Sequence, residues 1–386
     1  MSLMPNPSWL LRATVLPLLL TIPFPEAVAS GSTGNSPILV GQSIDLSGPE
    51  GDIAKDFVTG AQTYFDKINQ EGGIGGRKIR LVVSNNKGST AEMLATTKSF
   101  LEQQKVDLLF GYSGNGMIQE ISGADFFRKS GTPMIAPYSG ADTKNASGIY
   151  FIRPDNGSEL LKLAEFYHKL GLKKFLLLYD GSDVSADRLA QIRSQFKTWG
   201  ASLEERKIPN QMSSSQLEAE ARSISQSRPD VILLDMNTIA SAEFSKVYQT
   251  LDASVFMGAT SRVNPNTYFD LLGLDRARNT LITQVVPQPK DLDIPVVKEH
   301  IQLMRQFRDE PPSHATLEGH IAAKLLVNAL KHLPGGRITP AGIMSALQAV
   351  KKESLGGINL SFASPGGRGT NQVYLTYFNH RGRLLD

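Results

Sequence analysis

Five short stretches hold the residue types best suited to chemistry: "GYSGNG" (Gly111–Gly116), "APYSGADT" (Ala136–Thr143), "YDGSDVS" (Tyr179–Ser185), "DMNTIAS" (Asp235–Ser241) and "MGATSR" (Met257–Arg262). They supply hydroxyls, amides, aromatic rings and glycines. Such groups bind rather than cleave: hydroxyls and amides hydrogen-bond a polar ligand, and glycine lets backbone N–H groups come close to it. Arrangements that make or break bonds are missing. "GYSGN" is not a nucleophile elbow, because its fifth residue is Asn115. "HATLEGH" (His314–His320) is not a zinc motif. Its histidines are six residues apart on a predicted helix and do not share a face, so both are read as surface or packing residues. "GGIGGRK" follows a helix rather than a strand, which rules out a dinucleotide fingerprint. The chain has no cysteine, so disulfides, thiol catalysis and zinc–thiolate sites are excluded. No metal, cofactor or enzymatic activity is expected.

Each stretch follows an apolar run and precedes a helical pattern. "VDLLF", "TPMIAP", "KKFLLLYD", "DVILLD" and "ASVFMG" read as strands, as do "ILVGQSIDL" and "KIRLVVS" before them. Ile53, Phe57, Ala61, Tyr64, Phe65 and Ile68 recur at helical spacing, and "GGIGG" (Gly72–Gly76) ends that helix. Further helices are predicted over 90–103, 117–129 and 157–170, and "QVYLTYF" closes the chain as a strand. Alternation of this kind makes parallel sheets with helices on both faces. The rhythm restarts near Arg153, and 386 residues exceed what one core usually supports, so two doubly wound lobes are predicted. In such sheets ligands sit beyond the carboxyl ends of the strands, beside helix N-termini that favour anions. A second reading stays open for each loop: a polar turn or a helix cap.

Composition fits a globular protein, with 41% hydrophobic and 20% charged residues. A net charge of +3 from interspersed charges gives no nucleic-acid surface. The first 29 residues resemble a targeting segment: Arg12, an apolar stretch over Ala13–Phe24, then "AVAS" with cleavage expected after Ala29. The stretch is shorter than the roughly 20 residues of a spanning helix. An exported protein is expected, free between two membranes because no cysteine can carry a lipid.

The order of motifs resembles the type I periplasmic substrate-binding proteins of ABC transporters, the leucine/isoleucine/valine-binding group. The resemblance rests on "SGPEGDIAKDFVTGAQTYFDKINQEGGIGGRKIRLVVSNNKGST" after the first strand, then "LLFGYSGN", "GTPMIAPYSGADT", "YFIRPDNGSE" and "VFMGAT". It implies two Rossmann-like lobes joined by a three-strand hinge, lobe 1 over 37–153 and 284–356, and lobe 2 over 154–283 and 357–386. It implies a monomer that closes on a small polar ligand (amino acid, organic or aromatic acid, or amide) and delivers it to an ABC permease in the inner membrane. A sensing module working with a separate membrane receptor or kinase is the alternative.

The resemblance assigns the ligand's carboxylate to Tyr112, Ser113, Gly114, Asn115 and Gly116. It assigns the ligand's ammonium to the segment Tyr138, Ser139, Gly140 and Ala141. Tyr112 and Tyr138 are the candidate stacking rings, whereas Tyr248 is expected to face a core. Amino-acid-binding members carry an acid after "FMG"; this chain has Ala259, Thr260 and Ser261 there. The expected tyrosine of the second lobe's first loop is replaced near Asp183 and Val184. A buried ammonium without a carboxylate is costly. Asp183 or Asp235 could supply the charge, or could be turn and cap residues. Asn237 and Thr260 complete the candidate set.

Overall fold

The computed structural model describes residues 36–386 apart from 142, 144–146, 182–184, 210–211, 334–336, 351–352 and 363–366. The segment read as a leader and the candidates Asp183 and Val184 therefore lie outside the described residues. In chain order the first lobe runs β1 (Ile38–Ile44), α1 (Gly51–Gln70), β2 (Ile79–Asn85), α2 (Thr90–Ser99), β3 (Leu108–Phe110), α3 (Asn115–Gly123), α4 (Asp125–Ser130), β4 (Met134–Ile135) and β5 (Ile149–Tyr150). The second runs α5 (Asn156–Lys169), β6 (Lys174–Tyr179), α6 (Ala186–Trp199), β7 (Ser202–Lys207), α7 (Ser214–Ser227), β8 (Val231–Asp235), α8 (Thr238–Leu251), β9 (Phe256–Ala259), α9 (Pro265–Leu272), α10 (Leu274–Ala277) and β10 (Thr280–Gln284). Then follow α11 (Pro295–Phe307), α12 (His314–Lys331), α13 (Pro340–Gln348), the short pair β11 (Glu353–Ser354) and β12 (Asn359–Leu360), and a hairpin of β13 (Tyr374–Phe378) and β14 (Leu384–Leu385).

The first sheet has the order β2-β1-β3-β4-β5 and is parallel throughout. The second has the order β14-β13-β10-β9-β8-β6-β7; its five strands β6 to β10 are parallel and the hairpin is antiparallel. The order in both sheets doubles back on itself, so the C-terminal ends of the strands open onto a crevice. The chain passes between lobes after β5, after β10 and again before β13. The first and last crossings touch: Phe151 bridges Arg368 in parallel fashion. Leu360 and Phe362 still pack with Val296, Leu317 and Tyr150 in the first core, so the last crossing falls at Gly367–Gly369 rather than at residue 357.

Two helices differ from the pattern in the sequence. The stretch 117–129 is two helices broken at Ala124, which takes extended backbone (φ −74°, ψ 124°). The helix predicted over 90–103 widens into a π turn over Phe100–Gln104, closed by Lys105 at φ 53°. The closing strand is shorter than predicted, Tyr374–Phe378, and is followed by a turn at Asn379–Gly382 and a pairing strand, β14.

The first lobe is built around a contact between α1 and α12 at which backbone meets backbone. A Cβ on Gly60 would lie 1.8 Å from the Thr316 carbonyl oxygen, and one on Gly319 would lie 2.1 Å from that of Phe57. Neither neighbour is a side-chain tip that can swing aside. His314 and His320 lie on this buried helix as packing residues, with His320 edge-on to the Tyr64 ring at 4.8 Å. Tyr248 faces the second core, as expected, stacked on Phe244 at 5.6 Å. Overpacking costs about 1–3 kcal/mol or more, so Gly60→Ala is expected to lower unfolding free energy by at least that much in urea titration. Gly123→Ala, where a Cβ meets nothing within 4 Å, is the matched control and should be near neutral.

Candidate functional site

The crevice between the lobes holds a pocket of about 210 Å³. Its walls come from strand ends and helix starts. Asp45, Pro49 and Glu50 connect β1 to α1; Gly88 precedes α2 and Thr90 begins it; Ser113 and Gly114 lead into α3, which Asn115, Gly116 and Met117 open. Asn237 at the start of α8 and Arg262 after β9 form the opposite wall. Five of the residues singled out in the sequence, Ser113, Gly114, Asn115, Gly116 and Asn237, are therefore brought together.

The start of α3 is built to receive an acceptor. Gly114 occupies its N-cap at φ 90°, without a side-chain cap, and no acid stands in the first turn. The leading N–H groups of such a helix carry partial positive charge and lack intrahelical partners. Asn115 adds a side-chain donor. Ser139 Oγ accepts from the Ala141 N–H and gives its own proton to Asn115 Oδ1. That bond fixes the amide with its NH₂ group as the remaining donor. Asn115 Nδ2 is buried, on a residue only 6% exposed, and has no partner among the described residues. Ser113 Oγ accepts from the Asp45 N–H at 3.3 Å and keeps its own proton available.

The remaining candidates stand behind or beside the pocket. Tyr112 does not enter it. Gly111 takes φ 59°, which breaks the alternation of the strand and returns Tyr112 to the core between α2 and α3. Its hydroxyl lies 3.0 Å from that of Thr97, and burial raises its pKa above the usual phenol value. Ser139 is the positioning group for Asn115. Gly140 lets the lobes meet, since a Cβ there would fall 1.9 Å from Asn156 Oδ1. Thr260 is buried and donates to Asp235 Oδ1 at 2.8 Å. Asp235 is thus a fixed residue of the second sheet, its pKa pushed up to about 6 by burial, and it does not line the pocket. Asn237 caps α8 by accepting from the Ala240 N–H at 3.0 Å while facing the crevice.

Tyr138, partly exposed, does not line this pocket and its ring is already engaged by neighbours. The Arg153 guanidinium covers its ring at 4.3 Å, and Phe57 meets it edge-on at 5.3 Å. This is the centre of a second set of interlobe contacts. Arg153, 3% exposed, pairs with Glu318 of α12 at 3.5 Å and donates to Ser261 Oγ of the other lobe. Ser261 is held in turn by Glu159, which accepts from its N–H at 2.8 Å and from its hydroxyl at 3.0 Å. Glu159 also accepts from Thr283 Oγ1 at 2.6 Å.

The sequence alone did not single out Asp45, Glu50 or Arg262 as site residues. Arg262 is anchored on the second lobe, donating 2.8 Å bonds to the Asp180 carboxylate and to the Asp235 carbonyl. Across the crevice it reaches Glu50 at 3.2 Å. Asp45 turns its carboxylate back onto the N–H groups of Ser47 and Gly48, at 3.2 and 2.6 Å. The only local signal for these residues was their place in polar loops at strand ends.

A family model described as periplasmic binding protein matches residues 37–383. A structural search finds an extracellular ligand-binding receptor from Verminephrobacter eiseniae at 20% identity and TM-score 0.81, covering 91% of this chain and 100% of that one. It also finds a substrate-binding periplasmic protein from Ralstonia solanacearum at 20% identity and TM-score 0.82, with 90% and 99% covered. A branched-chain amino acid ABC transporter protein from Thermus thermophilus with bound valine is similar at 15% identity and TM-score 0.79, with 92% and 96% covered. A search of curated protein sequences gives no match.

Two substitutions test the geometry of the site. Ser139→Ala frees the Asn115 amide and is expected to weaken ligand binding several-fold in calorimetry. Tyr112→Phe is expected to leave affinity unchanged and to lower stability by about 0.5–1.5 kcal/mol, the worth of one hydrogen bond. A third prediction concerns pH. Burial pushes Glu318 up to about 7, against the pull of Arg153. Its folded pKa thus exceeds the unfolded value of about 4.3. The associated stability is full below that value and is lost as pH rises through about 7. Burial lowers the pKa of His300, His314 and His320, so their contribution grows over the same range in any variant that keeps them. The Glu318 effect is therefore expected as a difference, the melting temperature of the unaltered protein falling relative to that of Glu318→Gln between pH 5 and pH 8. Glu299, held down to about 2 by its His320 and Lys324 contacts despite burial, has no effect in that window.

Proposed function

Because the chain belongs to the periplasmic binding protein family, whose members are binding proteins rather than enzymes, we propose that it is the periplasmic solute-binding component of an ABC importer. A small polar ligand enters the crevice, the lobes close on it by hinge motion, and the loaded protein delivers it to a permease in the inner membrane. The single observation that carries this reading is the Asn115 amide: a buried donor without a partner among the described residues, on a residue that lines a pocket to which both lobes contribute.

The ligand on this reading carries a carboxylate. Its oxygens accept from Asn115 Nδ2, from the Ser113 hydroxyl and from the first N–H groups of α3. The pocket is smaller than the roughly 300–1,000 Å³ of drug-sized sites, which favours a compact molecule. The valine bound by the Thermus relative has a carboxylate of this kind. The residue after Gly258 differs from the acid that would pair with an ammonium, so organic and aromatic acids belong among the cargoes to test alongside amino acids.

The test is a thermal-shift panel of amino acids, organic acids, aromatic acids and amides on the purified protein. A ligand at 100 times its Kd adds about 2.7 kcal/mol to stability. A carboxylate-bearing compound is expected to raise the melting temperature by several degrees. Asn115→Asp keeps the bond to Ser139 and the shape of the side chain but replaces the donor with an anion. It is expected to weaken that compound by about 10- to 100-fold, the worth of a hydrogen bond to a charged group. Undiminished binding by Asn115→Asp would count against this placement of the carboxylate, and a flat panel against solute binding itself.

A further inference from the structure

We infer that Arg262 is a second ligand anchor, held in reserve by Glu50, and that the cargo is a short molecule with an anionic group at each end. The inference rests on the solute-binding reading above and adds the class of ligand.

Arg262 and Glu50 both line the pocket, one from each lobe. Their pairing is unequal. Arg262 is fixed from behind by the Asp180 carboxylate and the Asp235 carbonyl, both on its own lobe. Its guanidinium is thus presented to the crevice at a set height and angle, and its side chain is only 10% exposed. Glu50 is the N-cap residue of α1 but makes no side-chain cap bond there. Its side chain is 25% exposed. When an anion competes for such a pair, the loosely held member gives way. Glu50 leaves at little cost, because it moves towards water and stays beside the positive end of α1. Arg262 stays in place when Glu50 leaves, because the Asp180 carboxylate remains paired with it at 2.8 Å.

The carboxylate of Glu50 therefore stands where one end of the ligand would stand. Ser113, Asn115 and the start of α3, in the same pocket, take the other end. A ligand spanning both sites ties lobe 1 to lobe 2. A molecule with a single anionic end reaches only one of them. The remaining carboxylate of the wall, Asp45, is satisfied by two backbone N–H groups and opposes the ligand weakly. The volume of about 210 Å³ limits the chain between the two ends to a few carbons.

The test uses succinate as the two-ended probe, with butyrate and leucine as controls, in calorimetry and thermal shift on the full chain. Glu50→Gln removes the internal competitor at a partly exposed position and should leave folding intact. Succinate is expected to bind the unaltered protein more tightly than butyrate or leucine. It is expected to bind Glu50→Gln about fivefold more tightly, matching the modest worth of a partly exposed ion pair. Arg262→Lys keeps the charge but loses the fork, and should weaken succinate about tenfold while leaving butyrate unchanged. Failure of succinate to bind either the unaltered protein or Glu50→Gln overturns the inference. So does a leucine or butyrate complex that depends on Asn115 but ignores both Glu50 and Arg262; that result leaves solute binding standing and removes only the second anchor.

Discussion

A buried guanidinium cannot be left alone, and the two lobes are arranged around one. Arg153 lies on the first crossing between the sheets and is almost wholly enclosed. Its charge is met by Glu318 from α12 on one side and by the Ser261 hydroxyl, tied to Glu159, on the other. Each partner belongs to an element that also serves the crevice. Ser261 immediately precedes Arg262, and α12 packs backbone to backbone on α1, whose N-cap is Glu50. Removing one member of a buried ionic set is far more damaging than replacing the set by apolar groups. The relative placement of the lobes is therefore written into a few side chains near the crossing points.

The same logic separates the two kinds of polar contact in the crevice. Around Arg153 the groups are enclosed and face protein charges or hydroxyls, Glu318 at 3.5 Å and Ser261, as in a structural joint. Around Asn115 and Glu50 the commitments are incomplete or loosely held. An acceptor-hungry amide and a weakly tethered carboxylate are what a binding site needs, because a ligand must find groups that exchange partners at small cost. The division runs through neighbouring residues: Ser139 is spent on orienting Asn115, and Asn115 is left to meet the ligand.

Much of the architecture was legible because parallel strands, buried on both faces, are written as apolar runs. "VDLLF" and "DVILLD" announce strands and, by their abrupt polar ends, the rim of the crevice. The candidate site was half legible. Ser113, Gly114, Asn115 and Asn237 follow directly from the rule that ligands sit beyond strand ends. Tyr112 was misleading because the direction of a side chain after a strand depends on one backbone torsion, that of Gly111, which residue types do not report. Glu50 and Arg262 were invisible as a pair because 212 positions separate them and no local pattern links two loops on different lobes. The break at Ala124 was hidden for a similar reason: helical periodicity continues through it, and only the backbone torsions show the turn.

The order of the strands also bears on self-association. A sheet ends in strands with one row of unpaired backbone groups, which another chain can extend. The first sheet ends in β5, two residues long, and in β2, which carries an exposed Arg80 and is flanked by Arg77, Lys78 and Lys87. The second ends in β14, also two residues long, and in β7, whose sequence "SLEERK" puts four charges in a row. The borders of these two sheets are thus brief or charged, features that disfavour the templating of a foreign strand.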